Sequence, residues 1–141
     1  EAGKQSGLNT VYSDDLSALD ALRAQFDLVS LLDSLEHHSD PLALLRQIRC
    51  LLRPDAYLLL SVPHIGFWPV LCDLSEGRFE YEALGPLCET HLRFFSETGL
   101  RRLLAEANFE ILRWEAVSEV MPMNPQKRSI ERFSVLARRA G

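Results

Sequence analysis

The chain has 141 residues, 47% of them apolar and 25% charged, with a net charge of −5. This is one domain's worth of ordinary globular composition, and the acidic balance excludes a broad basic surface for nucleic acid. No apolar run is long enough for a membrane span, and the opening EAGKQSGLNT lacks the apolar core of a signal peptide.

Residues 1–7 are polar, and 8–13 (LNTVYS) forms the first strand expected. Asp14 and Asp15 follow at its C-terminal end, with Asp15 placed to cap a helix over 16–23. That helix buries Leu16, Leu19 and Leu22, spaced by three. Next comes FDLVSLLD, 26–33. Five of its first seven residues are apolar, without alternation, which predicts a strand buried on both faces. SLEHHSDP continues it as an acidic, histidine-containing turn. Asp40-Pro41 then supplies an N-cap and a first-turn proline for a helix over 41–52, with Leu44, Leu45, Ile48, Leu51 and Leu52 on one stripe. Arg53-Pro54 stops it, and 57–62 (YLLLSV) is a second apolar strand ended by Pro63.

Residues 26–63 therefore form a right-handed strand–helix–strand unit. Ligands of open α/β sheets bind beyond the carboxyl ends of such strands. Asp33, Ser34, Glu36 and His37 fall there.

The stretch 64–95 is irregular and aromatic, with Phe67, Trp68, Phe79 and Tyr81 among Pro69, Gly77, Gly85 and Pro86. A short helix is expected over 70–75. Such an insert serves as a substrate lid, or its aromatics simply pack it onto the domain. Ser96 caps a helix over 97–107, and Asn108 stands where a left-handed C-terminal cap belongs. A strand over 109–117, a loop over 121–129 with two prolines and a last strand over 131–137 complete a single domain, 1–141. Cys50, Cys72 and Cys88 are odd in number and unpaired in spacing, which fits inert thiols in a reducing cytoplasm. No His, Asp or Glu spacing matches a metal-ligand motif, so no metal is expected.

The segments FDLVSLLDSLEHHSDPLALLRQIRCLLRPDAYLLLSVPH, THLRFFSETGLRRLLAEANFEI and ERFSVLARRAG, in this order, resemble a class I S-adenosylmethionine-dependent methyltransferase from its middle to its end. The resemblance implies a Rossmann-like α/β sheet of order 3-2-1-4-5-7-6 with an antiparallel last strand. One departure matters. The family's first strand ends in a glycine-rich G-x-G loop at the cofactor, whereas the seven glycines here are scattered and no G-x-G occurs. The first two strands are therefore expected to be lacking, which leaves an apolar edge unpaired: the chain is a piece of a longer enzyme, or 8–13 pairs directly with that edge, or two copies cover each other's edges as a homodimer.

The resemblance implies S-adenosylmethionine as cofactor. Asp14, with Asp15 and Leu16, would meet the adenine, where a carboxylate can accept from the exocyclic amine. Leu32, Asp33 and Ser34 would lie at the methionine end, where negative potential favours the sulfonium. The bland alternative for these acids is an N-cap and an exposed turn. His37 would stand near the acceptor as a base, or else pack against the cofactor or cap the turn, and His91 is its one candidate pairing. His64, Phe67, Trp68 and His91 would contact a small-molecule substrate, with no nucleic acid or membrane partner. His91 as a buried, hydrogen-bonded histidine is the plainer alternative. Arg93, Arg101, Arg102, Lys127, Arg128, Arg132, Arg138 and Arg139 make the second half basic, which fits solvated faces better than an anion site. The expected function is methyl transfer to a small molecule, carried by the complete protein. The competing expectation is a non-catalytic binding or assembly domain that kept this core without its cofactor loop. An NAD-dependent enzyme would need a glycine fingerprint as well.

Overall fold

The computed structural model describes residues 22–121 and 124–141. The strand expected over 8–13 and nearly all of the helix expected over 16–23 lie outside them, as do Asp14, Asp15 and Leu16.

The strand–helix–strand unit is present. β1 (Phe26–Leu32) pairs in parallel with β2 (Leu52–Pro63), from Leu28↔Tyr57 to Leu32↔Ser61. Between them runs α1 (Pro41–Leu51), started as its sequence dictates: the Asp40 carboxylate accepts from the Ala43 N–H at 2.9 Å, and Pro41 fills the first turn. The helix buries Leu44, Leu45, Ile48 and Leu51. After 64–95, which carries α2 (Trp68–Ser75), α3 (Glu97–Glu106) is capped by the Ser96 hydroxyl, which accepts from the Gly99 N–H. Asn108 takes the left-handed conformation expected of it, with φ +57.

β3 (Phe109–Met121) and β4 (Asn124–Arg139) form an antiparallel pair, and β4 also pairs antiparallel with β2. The described sheet has the order β1-β2-β4-β3. This is the 4-5-7-6 portion of the order that the resemblance implies. α1 and α3 cover one face. Beneath them Leu35, Leu45, Leu58, Leu60, Leu100, Leu104 and Phe133 are almost wholly buried.

Two expectations need correction. β1 is not buried on both faces. Leu28 and Leu32 are 53% and 59% exposed, and only Val29 and Leu31 pack against the core. Alternate residues point to opposite faces, and of these only the Val29 and Leu31 face packs on the core, so the apolar run alternates in burial although not in composition. β2 is more fully covered: Leu58, Leu60 and Val62 are buried on one face and Ser61 on the other, with Leu59 half-buried and Tyr57 44% exposed. Finally, much of the expected 121–129 loop is strand. The hairpin continues through Glu119↔Ser129 and Val120↔Arg128 to Met121↔Asn124. Proline content predicted a loop, but a two-stranded ribbon tolerates proline where no ladder hydrogen bond is required of it.

Candidate active site at the carboxyl ends of β1 and β2

β1 ends at Leu32, and the chain turns at Asp33, whose φ is +44. Such a turn needs fixing, and β2 supplies it. The Asp33 N–H donates to the Ser61 carbonyl and hydroxyl at 3.1 and 3.0 Å. The Ser61 hydroxyl in turn donates to Asp33 Oδ1, and Arg132 from β4 donates to Oδ2 at 2.7 Å. Asp33 is thus latched to β2, the neighbour of β1, and to β4 beyond it.

Ser34 leads into a single 3-10 turn, Leu35–His37, in which Leu35 and Glu36 are buried. Leu35 anchors the turn in the core. The Glu36 carbonyl then accepts from the N–H groups of Leu92 and Arg93 at 2.8 and 3.0 Å. Those two bonds stitch the end of the insert to the turn and bring His91 beside His37. The insert itself leaves and returns at one place, through a parallel bridge between His64 and Phe95.

The two imidazoles meet edge to face, with ring centroids 4.8 Å apart. His37 Nδ1 lies 3.1 Å from the Thr90 carbonyl, and His91 Nδ1 lies 3.0 Å from that of Pro86. A carbonyl only accepts, so Nδ1 carries the proton in both rings and each Nε2 presents a lone pair. Behind them lies Glu36, 1% exposed, with neither carboxylate oxygen hydrogen-bonded. Burial pushes its pKa up, and its own N–H and His91 offset this only in part. Glu36 Oε1 is 3.9 Å from His91 Nε2, too far for a hydrogen bond. Asp33, Glu36, His37, His91, Glu131 and Arg132 line a cavity of about 350 Å³.

A family model described as a methyltransferase domain matches residues 4–113. The chain belongs to this methyltransferase-domain family, and its fold is that of the Rossmann-like class I methyltransferases. Solved structures share the fold of this methyltransferase domain. A SAM-dependent methyltransferase from Methanosarcina mazei superposes with a TM-score of 0.66 at 20% identity, over 99% of this chain and 74% of that one. A 4+2 cyclase, SpnF, gives 0.66 at 19% identity over 99% and 60%. A protein described as a putative methyltransferase from Bacillus halodurans gives 0.66 at 13% identity over 96% and 79%. No curated protein matches the chain significantly in sequence. No helix among the described residues is long and apolar enough to cross a membrane.

Of the residues singled out in the sequence of this methyltransferase domain, the fold gathers Asp33, His37 and His91 around one cavity. Ser34 sits at the start of the turn, and Leu32 projects from the sheet edge. His64 does not line the cavity. Its Nδ1 lies 3.2 Å from the Ile130 carbonyl, and its ring packs on Phe133. Phe67 lines a second cavity of about 80 Å³ with Val70 and Leu87, and the Trp68 N–H donates to the Ser129 hydroxyl. Sequence reasoning placed Glu36 at this rim without a role of its own and read Arg132 as part of a solvated basic face. Glu36 is adjacent to His37, but its burial depends on Leu35 and on the distant 91–93 segment. Arg132 reaches Asp33 from 99 residues away.

Proposed function

We propose that the protein transfers a methyl group from S-adenosylmethionine to an oxygen, nitrogen or carbon of a small molecule, as part of a longer chain. The observation that carries this is the cavity's place: beyond the carboxyl ends of two parallel strands, in a methyltransferase domain, walled by two imidazoles with free Nε2 atoms. In this reaction an acceptor lone pair attacks the methyl carbon in line. The carbon–sulfur bond breaks, and S-adenosylhomocysteine leaves with its electron pair. A hydroxyl acceptor's proton passes to His37 or His91. The remaining task is positioning.

In this assignment the 32–34 turn holds the methionine end of the cofactor, with the Asp33 carboxylate, paired to Arg132, fixing the turn's shape. Asp14, Asp15 and Leu16 take the adenine. His64, Phe67 and Trp68, expected at the acceptor, lie off this cavity, so an apolar body of the acceptor falls instead to Leu84 and Pro86 of the insert, which line it. The free thiols of Cys50, Cys72 and Cys88 fit a cytoplasmic setting. The competing assignment, a binding domain without catalysis, draws support from the scattered glycines. A protein described as a cyclase also has this fold, and a fold by itself leaves the reaction open.

Calorimetric titration of S-adenosylmethionine and S-adenosylhomocysteine into this chain, and into a form extended upstream to the gene's first codon, decides between the two. One-to-one binding by either form supports methyl transfer, and binding by the longer form alone places the main cofactor loop upstream. Binding by neither overturns the enzyme and favours the binding domain.

A further inference from the structure

We propose that Glu36, His37 and His91 bind one divalent transition-metal ion of the zinc or iron class. The three offer a carboxylate oxygen and two imidazole nitrogens, and these ligand atoms lie within 4.8 Å of one another. Two histidines and one carboxylate, with further positions open to solvent or a ligand, suit Zn²⁺ or Fe²⁺.

The carboxylate is the first sign. Glu36 is 1% exposed, and neither oxygen has a hydrogen-bond partner. A buried carboxylate without donors calls for a positive charge beside it. The nearby guanidinium groups are committed elsewhere: Arg132 to Asp33 and Glu131, Arg93 to the carbonyls of Ser39 and Leu92. The imidazoles are the second sign. Backbone carbonyls hold both Nδ1 atoms, which is how metal-binding histidines are commonly oriented with Nε2 free for the ion. The third is the cavity, which opens on all three residues and leaves room for the remaining ligands.

Distances agree. Metal bonds of about 2.0–2.2 Å place neighbouring ligand atoms roughly 3–4 Å apart. Glu36 and His91 already stand at 3.9 Å. His37, the exposed member, makes the remaining approach. The site does not rest on the methyl-transfer assignment. With the ion bound, both Nε2 atoms are occupied. An acceptor hydroxyl on an open position would then be acidified by the ion's polarisation, and its proton would pass to solvent rather than to His37.

The test is calorimetric titration of Zn²⁺ into the chelator-treated chain, with Co²⁺ as a spectroscopic stand-in. One equivalent should bind, and Co²⁺ should show the intense visible bands of a four- or five-coordinate site. Glu36→Gln and His37→Asn should each weaken binding by about tenfold or more. Cys88→Ser and His64→Asn should leave it unchanged. His37 is exposed, so its variant keeps the fold and decides alone if Glu36→Gln does not fold. Absence of saturable binding, binding indifferent to the Glu36 and His37 variants, or binding lost with Cys88→Ser would each overturn the site.

Discussion

At the residue scale the site depends on how one polar residue is held and its neighbour is not. The Asp33 carboxylate has Ser61 and Arg132 as partners, whereas the carboxylate of Glu36, three residues on, is buried without a hydrogen-bond partner. A buried, unsatisfied charge costs stability, and a neutral side chain of the same shape costs less. Glu36→Gln should therefore raise the stability of the metal-free chain at neutral pH by about 1 kcal/mol. Urea unfolding in the presence of chelator measures this. A loss of stability would show that Glu36 has a partner in solution. Ser61→Ala removes the hydroxyl that both accepts from and donates to Asp33. It should cost about 1 kcal/mol and loosen the turn below the cavity. The same denaturation experiment detects it.

At the element scale, helix ends follow their local sequence closely. Asp40-Pro41 and Ser96 start α1 and α3 by accepting backbone N–H groups, and Asn108 ends the second helix with a positive φ. That φ is tolerated by asparagine and glycine and disfavoured for residues with a plain Cβ. Asn108→Gly should thus be near neutral, while Asn108→Ala should lose about 1 kcal/mol, a contrast read directly from thermal midpoints. Equal effects would mean that the side chain, not the backbone, matters there. Strand burial follows neighbours rather than sequence. β1 reads as a continuous apolar run, yet its exposure is decided by which face packs on the core, that of Val29 and Leu31. Hairpin length was likewise hidden by prolines, because pairing between β3 and β4 is a cooperative, non-local matter.

At the scale of the whole molecule, the described sheet presents an apolar edge. Phe26, Leu28 and Leu32 are exposed along β1, and unpaired edges of this kind template further strands. We expect the chain to self-associate through that edge, consistent with the homodimer proposed from its sequence. Sedimentation velocity should show a concentration-dependent dimer that Leu28→Lys shifts toward monomer, since a charge on an edge strand opposes pairing. A monomer at all concentrations would rule this out. The circular dichroism spectrum should not change, because Leu28 packs little against the core.

What the sequence determined by itself was local and ordered. Runs of apolar residues, Asp-Pro, Arg-Pro and Asn108 mark where strands and helices start and stop. Their order, with the LEHH turn between β1 and α1, was enough for the methyltransferase resemblance and the antiparallel last strand. These follow from short-range rules of capping, periodicity and turn geometry. The tertiary structure alone decided the chemistry of the site. His37 and His91 are 54 positions apart in sequence, and they meet because Glu36 accepts two backbone hydrogen bonds from Leu92 and Arg93. The same bonds close the insert over Glu36 and leave its carboxylate buried. No spacing rule reports such a contact, since the chain between 37 and 91 contributes through where its ends return, not through any period in its residues.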